Sequence, residues 1–119
     1  MKKILIIDDN DLNRKLCKET LENRGYQALE ARSGAEGVEL AKNEKPDLIL
    51  MDIQMPGMDG LAARKKIVEI PGLENVPVIA FTAYAMRGDR EGFLSKGFAA
   101  HVAKPLNISE FLETISKFT

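Results

Sequence analysis

The chain has 119 residues, 45% of them hydrophobic and 29% charged, a composition that is typical of one globular domain and excludes intrinsic disorder. Seventeen basic residues against eighteen acidic ones leave a net charge of -1, which gives nucleic-acid binding little electrostatic support. No apolar run approaches the length of about 20 residues that a membrane span requires.

The N-terminal segment predicts a strand followed by a helix. Lys3 to Ile7 is apolar enough for a buried strand, Asn10 or Asp11 can cap the helix that follows, and Gly25 ends it. Side chains recur at helical spacing on this helix at Leu12, Leu16, Thr20 and Leu21. Cys17, the single cysteine, falls within it as an expected core or boundary residue. One cysteine excludes an internal disulfide and, with no signal-peptide pattern at the N-terminus, indicates a cytoplasmic protein.

The next elements are a weaker strand and a second helix. Residues Tyr26 to Ala31 alternate partly with polar side chains, which favours a strand at the edge of a sheet. Ser33 and Glu36 have the spacing of a capping box, so a helix is predicted from there to Pro46.

A short apolar run then predicts the centre of the sheet. Leu48 to Met51 are apolar on both faces and end in the carboxylate of Asp52. Such a run is typical of a central strand in a parallel sheet, where ligand sites lie just beyond the carboxyl ends of the strands. The turn residues Pro56-Gly57 and Asp59-Gly60 predict a loop after it.

The second half of the chain repeats the alternation. The predicted elements are a helix from Leu61 to about Val68, a strand from Val76 to Phe81, a helix from Met86 to Ser95, a strand from Ala99 to Ala103, and a last helix opened by Asn107. Gly88 and Gly92 each cost the helix from Met86 to Ser95 about 1 kcal/mol relative to Ala. Five strands alternating with five helices predict an α/β fold, a five-stranded parallel sheet with helices on both faces.

Polar side chains stand at the carboxyl ends of four predicted strands. They are Asp8 and Asp9, Asp52, Thr82 and Lys104. Because the strands are parallel, these ends meet at one edge of the sheet. Three carboxylates held together favour a hard divalent cation, most plausibly Mg²⁺. A carboxylate can also form an acyl phosphate when a cation and a lysine neutralise the charge, so the set predicts an aspartyl-phosphate site.

These motifs, in this order and spacing, resemble the receiver domain of two-component response regulators. The resemblance rests on Asp8-Asp9, the loop from Asp52 to Gly60, Thr82-Ala83 and Lys104-Pro105, and it covers residues 1–119 as one domain. It implies a flavodoxin-like, doubly wound fold. Within that family, the opening motif and the residues after Thr82 look most like single-domain receivers of the DivK type.

The resemblance implies a role for each matching residue. Asp52 would accept a phosphoryl group from a phosphohistidine on a sensor kinase or histidine phosphotransferase. Asp9, Asp52 and the backbone carbonyl of Gln54 would hold Mg²⁺, with Asp8 acting through water. Lys104 would pair with the phosphoryl group, and Thr82 would move to bond it.

Three further positions carry hypotheses about regulation. His101, the only histidine, stands three residues before Lys104, where the family often has a Tyr or Phe that swings inward on activation. It is either a passive space-filling ring or a pH-sensitive rotamer switch. Gln54 and Tyr84 stand two residues after Asp52 and Thr82, where the family tunes access of water, and this pair predicts slow self-dephosphorylation.

The predicted output is a surface change rather than turnover of a substrate. The expected output face runs from about residue 83 to residue 119 and would meet a protein partner or a second copy, so we expect a monomer or a phosphorylation-dependent homodimer.

A phosphatase or dehalogenase with an aspartate nucleophile is one alternative, although such enzymes commonly carry a second Asp where this chain has Gln54. A nucleotide- or flavin-binding module lacks support, since neither G-x-G-x-x-G nor a P-loop is present. A degenerate receiver that works by binding alone stays open, with no motif residue missing.

Overall fold

The strands of this chain form one parallel sheet with helices on both of its faces. A computed structural model describes residues 2–53, 60–82, 97–104 and 106–119. The elements are β1 (Lys3–Ile7), α1 (Asp11–Glu22), β2 (Gln27–Ala31), α2 (Gly34–Glu44), β3 (Leu48–Asp52), α3 (Gly60–Val68), β4 (Val78–Thr82), β5 (Ala100–Ala103) and α4 (Ile108–Lys117). The strand order is β2-β1-β3-β4-β5 and every pair is parallel, which confirms the predicted α/β architecture.

The position of each strand follows from its sequence. All five residues of β3 are buried, as expected for the central strand of the order. The partly polar β2 lies at one edge, as predicted. β4 begins two residues later than predicted, because the Val76 amide donates to the Leu73 carbonyl in a turn and Pro77 has no amide hydrogen. The predicted helix from Met86 to Ser95 lies outside the described residues.

In the described part of the chain, two hydrophobic clusters, one on each face of the sheet, form the core. On one face, α2 and α3 pack through Ala41, Ala63 and Ile67 onto Leu5, Ile7, Ile49, Met51, Val78 and Ala80. On the other, α1 and α4 pack through Cys17, Leu21, Phe111 and Ile115 onto Ile4, Ile6, Leu48, Leu50, Ile79 and Phe81. Alternate residues of β1, β3 and β4 serve opposite faces, which is the period of two that a strand imposes.

The inward face of α1 contains Thr20 and Leu21, as the helical spacing predicts, but not Leu12 or Leu16. Leu12 is 77% exposed and Leu16 is 39% exposed, whereas Arg14, Cys17 and Leu21 are buried. Arg14 can take an inward position because its guanidinium is hydrogen-bonded and ion-paired there. Cys17 is buried as expected, and burial, with a further contribution from the carboxylate of Asp8, raises the pKa of its thiol to about 12.

Side-chain caps fix where three of the helices begin. The oxygens of Asn10, Ser33 and Asn107 accept hydrogen bonds from amides in the first turns of α1, α2 and α4. The cap at Asn10 starts α1 immediately after the acidic pair, Asp8 and Asp9, which follows β1. Among the described residues, no helix is long and apolar enough to span a membrane.

Candidate functional site

The sheet brings the polar side chains predicted from the strand ends to one edge. Asp52 is the last residue of β3 and pairs in register with Phe81 of β4. Thr82 ends β4 and pairs with Ala103 of β5, and the Lys104 amide then donates to the Thr82 carbonyl at 2.9 Å. Asp8 follows β1, the neighbour of β3, and its amide donates to the Ala31 carbonyl of β2 at 3.1 Å.

Among the residues that the structure describes, three carboxylates are concentrated at this edge. One oxygen from each of Asp8, Asp9 and Asp52 lies within 4.8 Å of the other two. Asp8 and Asp52 are buried and Asp9 is exposed, so the cluster is closed towards the core and open towards solvent. Such an all-oxygen set with three negative charges fits a hard divalent cation such as Mg²⁺. Gln54, the remaining predicted ligand, lies outside the described residues.

Lys104 supplies a positive charge between the two buried carboxylates. Its Nζ lies 3.1 Å from Asp8 Oδ2 and 3.3 Å from Asp52 Oδ2, and 5.0 Å from the centre of the Phe81 ring. Burial, the largest single influence, lowers the pKa of Lys104, but Asp8 and Asp52 together outweigh it, and the pKa is raised above its usual value. Lys104 is therefore a fixed ammonium at neutral pH.

The raised pKa of Lys104 predicts a stability difference that depends on pH. The free energy of unfolding that Lys104 contributes is complete below its ordinary pKa of 10.5 and is lost as pH rises through the raised native value. We expect the free energy of unfolding of Lys104→Gln, measured in urea, to lie below that of wild type by a constant amount from pH 7 to pH 10 and by a smaller amount above pH 10. The control is Lys66→Gln, at an exposed lysine, and its difference from wild type should not shrink above pH 10. A Lys104→Gln difference that stays constant up to pH 11.5 would contradict the expectation.

The other predicted positions are placed as follows. Thr82 is buried at the end of β4. His101 pairs with Ala80 in the register of β5 and β4, is partly exposed, and lines a cavity of about 430 Å³ with residues of α4 that include Glu113 and Lys117. Tyr84 and Pro105 lie outside the described residues.

Gly60 allows α3 to begin against the backbone of the site. A Cβ added there would lie 2.7 Å from the Asp52 carbonyl oxygen and 2.9 Å from Ile53 Cα. These are backbone atoms and cannot turn aside, so glycine is what permits the close approach. The Gly60 amide also donates to the Ile53 carbonyl at 3.3 Å.

Gly60→Ala should therefore destabilise the protein although alanine is the better helix former. The helix preference is worth about 1 kcal/mol in favour of Ala, whereas forcing a methyl group against immovable atoms costs about 1–3 kcal/mol. We expect the free energy of unfolding to fall by up to about 2 kcal/mol in urea titration, because the clash is with backbone. A raised value would show that α3 can move away from β3 freely.

Sequence reasoning missed three residues of this site. No pattern singles out Arg14 or Phe81, and the sequence indicates Gly60 only as the end of a loop. Arg14 shares the spacing of Cys17 and Leu21, which is the one signal that could have placed it on the inward face of α1. The position of Phe81 opposite Asp52 depends on the register between strands, which the sequence does not display.

Comparison with known proteins is consistent with this geometry. The family model for the response regulator receiver domain matches residues 4–116. The chain is 43% identical over 117 residues to the polar-differentiation response regulator DivK of Brucella ovis, covering 98% of this chain and 95% of that protein.

Solved structures agree in fold. The chemotaxis protein CheY4 of Vibrio cholerae superposes with a TM-score of 0.93 at 25% identity, over 100% of this chain and 99% of that one. The receiver domain of the sensor histidine kinase PA1611 of Pseudomonas aeruginosa, which has a magnesium ion coordinated in its active-site cleft, gives 0.88 at 32% identity over 98% and 96%.

The chain belongs to the response regulator receiver domain family, whose members act as phosphorylation-dependent signalling switches. It is similar over nearly its whole length to DivK regulators, as the opening motif predicted. The family is a signalling family rather than a catalytic one, and membership does not favour the phosphatase or nucleotide-binding alternatives.

Proposed function

We propose that the whole chain, residues 1–119, is one receiver domain that accepts a phosphoryl group on Asp52 from a phosphohistidine of a sensor kinase or histidine phosphotransferase. The observation that carries this proposal is the arrangement at the sheet edge. Three carboxylates lie within 4.8 Å of one another, and the Lys104 ammonium bridges two of them at 3.1 and 3.3 Å.

The proposed reaction is a displacement at phosphorus. A carboxylate oxygen of Asp52 forms the new oxygen–phosphorus bond while the nitrogen–phosphorus bond of the donor breaks, and the imidazole nitrogen leaves with the electron pair and takes up a proton. Asp52 suits the role because it is the last residue of β3, at the edge of the sheet where parallel strands place their ligand sites. The chain catalyses only its own phosphorylation and dephosphorylation in this scheme.

The other side chains hold charge and position. Asp8, Asp9, Asp52 and the backbone carbonyl of Gln54 would hold Mg²⁺, with Asp8 acting through water. When bound, the cation neutralises negative charge that builds up on the phosphoryl oxygens. Lys104 loses carboxylate partners as the phosphoryl group arrives and pairs with its oxygens instead. The Thr82 hydroxyl donates a hydrogen bond to another of them.

The signal then leaves through the face formed by residues from about 83 to 119. In its described part, His101 lines the cavity beside α4, where a change of rotamer would alter the surface presented to a protein partner or a second copy. We also propose that Gln54 and Tyr84 slow the attack of water on the phosphoryl group. The protein would work in the cytoplasm, as a monomer or a phosphorylation-dependent homodimer.

The donor is proposed to dock on α1. Leu12 and Leu16 are exposed one turn apart on this helix, which begins directly after the acidic pair, so they form an apolar strip beside the site. We expect Leu12→Gln to slow transfer from a phosphorylated histidine protein by at least about 10-fold, or 1.4 kcal/mol. Uptake from acetyl phosphate by the same variant should be unchanged, because that donor needs no docking; an equal loss with both donors would contradict the proposal.

The function itself is tested by intact mass after incubation with acetyl phosphate. We expect the protein to gain one phosphoryl group in Mg²⁺ and none when EDTA removes the cation. No gain in Mg²⁺, in folded protein that binds the ion, would favour a degenerate receiver or strict dependence on a protein donor. Transfer from a purified phosphotransferase would then separate those two outcomes.

A further inference from the structure

Arg14 is a buried arginine that bonds directly to the backbone of the acidic pair. Its side chain is only 8% exposed, and its Nη1 donates to the Asp8 carbonyl at 2.7 Å. Nη2 pairs with the Asp11 carboxylate, and Nε lies 3.4 Å from Glu30 Oε1 on β2. Burying a guanidinium is costly unless such partners are present, so these contacts account for its inward position.

The Asp8 carbonyl is the group through which Arg14 can act on the site. That oxygen belongs to the peptide plane between Asp8 and Asp9, so a hydrogen bond to it fixes the direction in which the chain continues to Asp9. The rest of Asp8 is held as well, since its amide donates to the Ala31 carbonyl and its Oδ1 accepts from the Asn10 amide at 2.9 Å. Arg14 completes this set of bonds on the side of α1.

We infer that Arg14 is a positioning residue that sets the affinity of the site for Mg²⁺ by fixing the peptide plane between Asp8 and Asp9. This inference rests on the metal site of the proposed function. Partners that orient metal ligands typically contribute a factor of about 10 to 100 in metal affinity. Arg14 does not contact the cation itself; it changes the affinity for Mg²⁺ through its hydrogen bond to the Asp8 carbonyl.

Charge and positioning predict changes of opposite sign, which makes the inference testable. Arg14 carries a positive charge and bonds to the backbone of Asp8, so if it acted only by Coulomb repulsion of the cation, its removal should strengthen Mg²⁺ binding. If its role is to position the acidic pair, removal should weaken binding. Arg14→Lys keeps the charge but lacks the planar fork of donors, so it changes position without changing charge.

The experiment is a calorimetric titration of the full chain with Mg²⁺ alone, alongside urea unfolding without the ion. We expect Arg14→Gln to bind Mg²⁺ about 10-fold more weakly than wild type, with Arg14→Lys between the two. Arg24→Gln, the same change at an exposed arginine after α1, is the matched control and should bind as wild type does. If Arg14→Gln fails to fold, the comparison of Arg14→Lys with wild type decides alone.

Each result has one meaning. Tighter or unchanged binding by Arg14→Gln, or wild-type affinity in Arg14→Lys, overturns the inference. Lower stability of both variants with unchanged Mg²⁺ affinity also overturns it, since Arg14 would then be merely structural. If the wild-type protein binds no Mg²⁺, the proposed metal site and this inference both fail. If the wild-type protein binds Mg²⁺ and the variants bind it with the same affinity, this inference alone fails.

Discussion

Asp52→Asn is expected to abolish phosphoryl uptake from acetyl phosphate, with the initial rate falling at least about 100-fold. The amide has nearly the shape of the carboxylate but has no anionic oxygen to attack phosphorus. Asp52 is 3% exposed at the end of the central strand, so the replacement fits the same space and the fold should persist. The rate is measured by intact mass at saturating Mg²⁺.

The matched control for this change lies at the other end of the same strand. Asp47 directly precedes β3, is exposed, and accepts a hydrogen bond from the Lys3 amide at 2.8 Å. Asp47→Asn removes the same charge outside the site and should leave uptake unchanged. If Asp52→Asn takes up phosphoryl groups as fast as wild type, the acceptor is another residue.

Asp9→Asn is expected to change stability in opposite directions with and without Mg²⁺. Asp9 is the exposed member of three carboxylates that lie within 4.8 Å of one another. Like charges at such distances repel by about 1 kcal/mol per pair in a water-like dielectric. The substitution removes the repulsion of Asp9 by the other two carboxylates, but it also removes the attraction of Asp9 to Lys104, which cancels part of the gain. Without Mg²⁺, the variant should therefore be more stable than wild type by about 1 kcal/mol.

With Mg²⁺ the order should reverse, because Asp9 is a proposed ligand. Losing a residue that hydrogen-bonds to a metal ligand weakens metal binding by up to about 100-fold. Losing the ligand Asp9 itself should weaken Mg²⁺ binding by at least that factor. Mg²⁺ at concentrations that stabilise wild type would then add little to the variant. Urea unfolding at low salt with and without Mg²⁺ checks both signs, with Asp47→Asn as control. A variant that is less stable in both conditions would show that Asp9 has a structural role.

Some strands and helix starts can be predicted from the sequence because a few neighbouring residues determine them. Lys3–Ile7 was predicted with the bounds it has, and β3 needs only Asp52 added, because a short run that is apolar on both faces has few other uses. Caps at Asn10, Ser33 and Asn107 were likewise identifiable, since the bond they make spans three residues.

The face of α1 could not be predicted in the same way, because two stripes of this helix compete. The predicted stripe contains Leu12 and Leu16, which are exposed, besides Thr20 and Leu21, which are buried. The stripe that is buried contains Arg14 and Cys17 instead of the two exposed leucines. An arginine normally marks the solvent side. Here it is buried because Nη1 donates to the Asp8 carbonyl and the carboxylates of Asp11 and Glu30 pair with the guanidinium in the folded chain. That compensation is visible only once β2 lies beside α1.

The candidate site likewise has features that the sequence predicts and features that depend on how the chain packs. The strand ends predicted which side chains meet, since parallel strands bring their carboxyl ends to one edge. The distances from Lys104 to Asp8 and Asp52, and the ring of Phe81 beside it, depend on strand order and register. The approach of Gly60 to the Asp52 carbonyl depends on how α3 packs, which no short pattern displays.

Chemical trapping of the phosphorylated residue in the wild-type protein tests directly whether Asp52 is the acceptor. Borohydride reduces an aspartyl phosphate to homoserine, and peptide sequencing by mass spectrometry then locates the change. We predict homoserine at position 52 after incubation with Mg²⁺ and acetyl phosphate together, and none when either is left out. Homoserine at position 8 or 9 instead, or phosphorylated protein with an unmodified position 52, would contradict the assignment of Asp52.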